Sequence, residues 1–348
     1  LDQVPLSREG RSVLNIAKPY VLFMGNETDP IYAKTGLGIA HWDAANCVGQ
    51  IRLTPETVDA GLLDVTLGEA LQHGANTVVL GVVVIGGSIP QATLTILRQA
   101  LELGLDIAAG MHQRLGDIPE LRDAARASGS RIIDVRVPPE IIPVGTGEKR
   151  TGKRLLTMGT DCALGKKYTA LALAQEMSHQ GFDVDFRASG QTGILISGAG
   201  IPIDAVVADF VSGAAEMLSP DADSADHWDV IEGQGSLFHP GYSAVTAGLL
   251  TGSQPDAFVV CTHATREYMA GWPDFPLPSI GEVIELTVLM ARRVNPAIRC
   301  LGISSNTSSL APEERAPYLE GLAQRWSLPA VDPLYGGVEP LVSALTTW

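Results

Sequence analysis

Short apolar, β-branched runs alternate with stretches of helical period along most of the chain. In the first part, Tyr20–Met24, Val78–Ile85, Asp106–Ala109 and Arg131–Val135 read as strands, and Gln91–Leu103 and Pro119–Ala127 as helices. Strands that take turns with helices predict a parallel sheet with crossover helices, hence an α/β domain of Rossmann-like type, here without a GxGxxG fingerprint. A second series follows, with strands at Arg154–Met158, Asp183–Ala188, Trp228–Glu232, Ala257–Thr262 and Ile298–Ser304. Its helices are predicted at Lys166–His179, Ala205–Met217, Tyr242–Leu250, Ile280–Arg293 and Pro312–Trp326.

Between the two series, Val137 to Lys153 carries Pro138, Pro139, Pro143, Gly145, Gly147 and Gly152 among Glu148, Lys149 and Arg150, the composition of a linker. The expected organisation is therefore a Rossmann-like domain over 1–136, a linker over 137–153 and a second parallel-sheet domain over 154–348. A length of 348 residues suits two domains at roughly 150 residues each. No internal repeat or low-complexity segment interrupts this plan.

Composition narrows the partners. Lys and Arg total 24 against 39 Asp and Glu, a net charge of −15, which works against a phosphate-tracking surface and so against nucleic acid. Anionic ligands must then be held locally. Charged residues make up only 18% and glycines number 37, a balance of buried strands and tight turns that excludes disorder and coiled coil. The longest apolar run, Val78–Ile85, is far short of the roughly 20 residues of a membrane helix, so no membrane is expected. Cys47, Cys162, Cys261 and Cys300 form no CxxC, and no paired histidine ligands accompany them. Neither a metal site nor a disulfide framework is expected, and with no basic n-region and apolar h-region at the start, the expected setting is the cytoplasm. The sequence leaves a homo-oligomer open.

The strongest chemical signal is the stretch from Leu155 to Thr169, in which an apolar strand runs into Gly159-Thr160-Asp161-Cys162-Ala163-Leu164-Gly165-Lys166-Lys167 and then a helix. A glycine-bounded loop before a helix N-terminus wraps phosphate with backbone N–H groups, to which Lys166 adds a full charge. Five residues separate Gly159 from Gly165, one more than in GxxxxGK, and Lys167 stands where a Mg²⁺-binding Ser or Thr is usual. Thr160 and Thr169 compensate only in part. This form favours a polyanion held without metal.

Other strand ends point chemistry the same way, because strand carboxyl ends face the ligand crevice of an open parallel sheet. Arg187 lies in one strand and Gln191 and Thr192 follow it; they are candidates for substrate carboxylates, although Asp185 is an alternative partner for Arg187 and ordinary loop chemistry an alternative for the other two. Glu232 ends another and is the first choice for a metal-orienting acid or a general base, with a cap of the following loop as the alternative, and His239 shortly after it reads as a neutral-pH base or as a loop-packing residue. Asn306 ends a third, and its amide can read a purine edge. The stiff segment Gly271–Pro278 offers Trp272 and Phe275 as covers for an organic ligand or for the core. Cys162, in the loop beside two lysines, reads either as an acyl-accepting thiol or as a small residue filling a tight turn.

These residues resemble a known family. Gly159-Thr160-Asp161 with Gly165-Lys166, the Glu232-Gly233 strand end and the Asn306 strand end are similar to the dethiobiotin synthetase and cobyrinate amidotransferase branch of P-loop proteins. More closely, Ser189-Gly190-Gln191-Thr192-Gly193, Asp204 with Asp209-Phe210, Glu232-Gly233-Gln234-Gly235-Ser236 and Gly110-Met111-His112 resemble a two-domain family long of unknown function. It joins a Rossmann-like domain to a P-loop NTPase-like domain. The resemblance spans nearly the whole chain. It implies a D-glutamate N-acetyltransferase that uses acetyl-CoA and passes N-acetyl-D-glutamate to a partner epimerase. Gly159, Thr160, Asp161, Gly165, Lys166, Lys167 and Thr169 would then hold CoA phosphates and Asn306 the adenine. The chemistry implied is attack of the substrate amine on the thioester, with Glu232 or His239 as base. The alternatives are an ATP-dependent carboxylate-activating enzyme, with Asp161 and Glu232 on Mg²⁺, and a nucleotide-binding regulatory protein.

Overall fold

A computed structural model of the protein describes residues 12–13, 16–83 and 89–346. The chain divides into two compact units. The first is built mainly from Val13–Pro138, with Ile194–Pro202 grouped with it, and the second from Pro139–Gly193 and the residues from Ile203 onward.

In the first unit, strands β1 (Tyr20–Gly25), β2 (Cys47–Arg52), β3 (Thr77–Leu80), β4 (Asp106–Ala109) and β5 (Ile132–Asp134) form one parallel sheet in the order β2-β1-β3-β4-β5. Val21, Phe23, Val78, Leu80 and Ile107 fill its core against Leu97, Leu101 and Leu121 of helices Gln91–Glu102 and Pro119–Ser128. The run expected over Val78–Ile85 ends as a strand at Leu80, because Gly81 meets another backbone. A Cβ on Gly81 would lie 2.9 Å from the Cα of Gly36, whose N–H donates to Gly81 O at 2.7 Å. Val84 and Ile85 lie outside the described residues. Strand β2 and helices Lys34–Trp42 and Leu67–Gln72 are additions to the expected elements. The last of these starts on a capping box between Thr66 and Glu69.

The second unit contains β6 (Lys153–Gly159), β7 (Val184–Arg187), β8 (Trp228–Ile231), β9 (Ala257–His263), the antiparallel pair β10 (Tyr268–Met269) and β11 (Trp272–Pro276), β12 (Arg299–Asn306) and β13 (Ala330–Val331). Six of them make a parallel sheet in the order β13-β12-β9-β6-β8-β7. β6 is buried along almost its whole length, as a central strand covered on both faces must be. Its neighbours β8 and β9 set the ends that carry Glu232 and His263 beside the loop that leaves β6, so topology alone gathers the chemistry at one edge.

The helix expected over Ala205–Met217 is instead two 3₁₀ turns, Ile203–Ala205 and Ala208–Phe210, followed by helix Val211–Leu218. Val207 is extended (φ −60°, ψ 137°) and interrupts the path. Gln191 and Thr192 lie in the first turn of a helix, Gln191–Ser197, rather than in a loop. The proline- and glycine-rich stretch before β6 is knitted to the second unit. Glu216 accepts from the N–H groups of Thr146 and Gly147, and Arg154, 1% exposed, donates to the carbonyls of Arg150, Thr151, Gly152 and Pro220 and to Ser219 Oγ. Among the described residues no helix is long and apolar enough to cross a membrane.

Candidate active site

The loop after β6 turns through two left-handed residues, Ala163 (φ 51°) and Gly165 (φ 104°), before helix Lys166–His179 begins. Gly165 takes that backbone conformation without steric penalty, which makes it the hinge from loop to helix. Lys166 is buried, and its Nζ donates to Asp161 O at 2.7 Å, closing the loop on itself. Thr160 is tied to β9, its N–H to Cys261 O at 3.0 Å and its Oγ1 to Thr262 Oγ1 at 3.4 Å, while Ser236 Oγ donates to its carbonyl. Thr169 faces the sheet and shares a 2.8 Å hydrogen bond with Ser304 Oγ, so it supports the helix from beneath. Lys167, the next residue of the helix, brings a second ammonium to the site and acts electrostatically on Glu232.

Glu232 is only 5% exposed, directly after β8. Its Oε2 accepts from the N–H groups of Ser189 and Gly190, each at 3.1 Å. The approach depends on glycine at 193, where a Cβ would stand 2.3 Å from Oε2. Gln234 Nε2 donates to Ser189 Oγ, which in turn bonds Glu232 O, so the end of β8 and the end of β7 form one hydrogen-bonded unit. Burial pushes the Glu232 carboxyl up to about 7, while the Lys167 ammonium and the two N–H donors pull against it. A carboxylate that titrates there can take a proton near neutral pH and release it again.

His239 and Asp161 form a second buried pair. Asp161 Oδ2 accepts from Arg266 Nη1 at 3.0 Å and from Ala270 N at 2.8 Å. Its Oδ1 lies 3.8 Å from His239 Nε2, and neither atom has a hydrogen-bond partner among the described residues. His239 Nδ1 accepts from Gly241 N at 3.1 Å, its ring stacks on Tyr242 at 4.5 Å and meets the edge of Trp272 at 4.5 Å. Burial, helped by the Lys166 ammonium and opposed by Asp161, lowers its pKa. The ring is therefore neutral at pH 7, and the Gly241 N–H on Nδ1 places its one proton on Nε2. As it stands, the ring is a hydrogen-bond donor rather than a base.

The remaining expected residues are placed less centrally. Arg187 is buried and ion-paired with Asp229, and with Asp185 at 3.0 Å, while its Nη1 has no hydrogen-bond partner among the described residues. Asn306 turns its Oδ1 onto Ser308 N at 2.9 Å. Trp272 packs on His239, whereas Phe275 is 44% exposed. Arg266 and Ala270, absent from the sequence-based set, clamp the loop through Asp161, and Arg266 also donates to Cys162 O at 2.8 Å.

A parallel sheet with a glycine-hinged, lysine-closed loop at its centre and an acid at the next strand end, preceded by a smaller parallel-sheet unit, defines a two-domain P-loop and Rossmann-like protein. The P-loop domain of unknown function DUF1611_C matches residues 143–342, and the Rossmann-like domain of unknown function DUF1611_N matches residues 53–138. The chain belongs to this DUF1611 family. It is 48% identical over 330 residues to a curated D-glutamate N-acetyltransferase from Tritonibacter scottomollicae, covering 95% of this chain and 99% of that protein. It is 46% identical over 332 residues to a D-glutamate N-acetyltransferase from Pseudoalteromonas sp, covering 95% and 100%. A crystal structure of a DUF1611 family protein from Anabaena variabilis, 29% identical, matches with a TM-score of 0.86 over 95% of this chain and 100% of that one. Two relatives at 46–48% identity are thus named as acyltransferases.

Proposed function

We propose that this protein is an acyltransferase that moves the acetyl group of acetyl-CoA to the amine of D-glutamate, as a step in D-amino-acid breakdown in the cytoplasm. The observation that carries the chemistry is Glu232: a buried carboxyl held by two backbone N–H groups and titrating at about 7, at the strand end beside the phosphate loop. Transfer to an amine requires removal of an ammonium proton, and this group is matched to that task. The substrate class rests on the relatives, which are 46–48% identical and carry that name.

In this reading the loop from Gly159 to Lys167 holds the CoA phosphates, with Lys166 leaving the Asp161 carbonyl to meet them and Asn306 reading the adenine. Gln191 and Thr192 bind substrate carboxylates, and Arg187, whose Nη1 has no hydrogen-bond partner among the described residues, is a further donor. A Mg²⁺-ATP reaction is less well served, since Lys167 replaces the usual metal-binding hydroxyl and Asp161 Oδ2 is engaged by Arg266 and Ala270. An epimerase acting on N-acetyl-D-glutamate is the consumer expected of the product.

The test mixes the protein with acetyl-CoA and D-glutamate and follows thiol release. Release that depends on D-glutamate is expected. None, with ADP formed from ATP instead, would overturn the reading. Lys166→Ala removes a charge-assisted donor and should raise the KM for acetyl-CoA by roughly ten- to a hundredfold. An unchanged KM in initial-rate measurements would show that the loop holds something else.

A further inference from the structure

Beside Glu232, the same loop holds a second reactive arrangement. Cys162 Sγ, one oxygen of Asp161 and one ring nitrogen of His239 lie within 4.8 Å of one another. The thiol is partly exposed and in no disulfide, whereas the side chains of Asp161 and His239 are fully buried. Asp161 Oδ1 and His239 Nε2 face each other at 3.8 Å without a hydrogen bond, an orphaned acceptor and an orphaned donor at one place. Buried polar atoms are left so rarely that this pair calls for something to fill it. A metal ion on the three residues fits poorly, because the Gly241 N–H on Nδ1 puts the imidazole proton on Nε2, the nitrogen that would have to offer its lone pair. What the arrangement does fit is sulfur chemistry. Nε2–H can donate to a thiolate, Lys166 and Arg266 set two cations around the loop, and the thiol stands just before the N-terminus of helix Lys166–His179.

We propose that Cys162 is the acyl acceptor of this enzyme, and that the acetyl group travels from CoA to Cys162 Sγ and only then to the substrate amine. The proposal rests on the acetyltransferase reading and specifies its route. In the first half-reaction Sγ attacks the thioester carbonyl, an Sγ–C bond forms and the C–S bond to CoA breaks. The proton of Sγ ends on the CoA sulfur. In the second, Glu232 takes one proton from the substrate ammonium, the free amine attacks the acetyl carbon, the N–C bond forms and the Sγ–C bond breaks, the second nitrogen proton goes to Sγ, and Glu232 returns its proton to solvent. His239 Nε2–H supports the thiolate in both and is a positioning residue.

The experiment incubates the full chain with acetyl-CoA and no amine, then measures intact and peptide mass. One acetyl per chain is expected on the peptide bearing Cys162, labile to hydroxylamine and discharged on adding D-glutamate. Cys162→Ala should carry none and lose D-glutamate-dependent CoA release by on the order of a hundredfold or more. Cys162→Ser should be acetylated but discharge slowly, which separates loss of chemistry from loss of fold, and CoA binding to each variant serves as the second control. Absence of acetyl on wild-type Cys162, or an Ala variant within about twofold of wild-type turnover, would overturn the acyl-cysteine and leave the acetyltransferase reading standing. A wild-type protein that releases no CoA with D-glutamate would sink that reading itself.

Discussion

Glu232 and Asp161 are both buried acids beside the same loop, and their surroundings give them different work. Asp161 is engaged on Oδ2 by a guanidinium and a backbone N–H, while Glu232 accepts from two backbone N–H groups at a site where burial dominates. Glu232 is the acid whose titration the rate should follow. Activity is expected to fall as pH drops through about 7, where the carboxylate takes up its proton. Glu232→Gln should lose turnover by roughly a hundredfold to ten-thousandfold together with that acid limb. Stability should move the other way. The carboxyl rises from an ordinary 4.5 to about 7 in the fold, so the folded state binds the proton more tightly, and wild-type stability falls as pH climbs through that window. Above it the Gln variant should be the more stable, by an amount on the order of 3 kcal/mol, in denaturant titrations. Glu232 was legible in the sequence because it follows directly on a strand end, and Lys166 because it opens a helix after a glycine-bounded loop. Arg266 was not, because it meets Asp161 from 105 residues away and only the β9–β6 pairing brings the two together.

At the scale of elements, strands buried on both faces were easy to read, and so were helices with a long regular period. Those that escaped notice owe their existence to neighbours. β2 is laid against β1, and the segment before β6 is fastened by side chains distant in sequence. Arg154 is the pin of that segment, and its place at the start of a strand pattern gives no sign of it. Arg154→Ala would strip the donors from several partly buried carbonyls at once, and a loss of about 3–5 kcal/mol is expected in chemical denaturation. A second element-level device lies where β7 and β8 begin. His227 bonds Asp229 and Asp183, and these bonds outweigh burial to raise its pKa to about 9. The folded state thus binds this proton more tightly than the unfolded chain. The stabilisation is complete below the ordinary 6.5 and disappears as pH rises through about 9. Thermal melts should show the decline over that window in wild type and a flatter profile in His227→Gln.

For the whole molecule, an excess of 15 negative charges stands against the proposal that it takes a polyanionic cofactor and an acidic amino acid. Long-range forces then oppose capture, and the attraction comes from short-range groups, namely the two lysines at the helix start and the loop backbone. The two contributions respond differently to salt. Surface charges are screened beyond a Debye length of about 10 Å at 0.1 M, whereas contacts at Lys166, which is buried, are screened much less. Added salt should therefore weaken the repulsion more than the attraction. A protein that binds phosphates through an open basic surface loses roughly 10³–10⁵ in affinity between 50 and 200 mM salt. Here kcat/KM for acetyl-CoA is expected to stay level or rise by up to about twofold over the same range. Initial rates at low acetyl-CoA measure this directly. A steep decline would mean that the cofactor is captured by a basic surface rather than by the loop, and Lys166→Ala would then change the salt slope little.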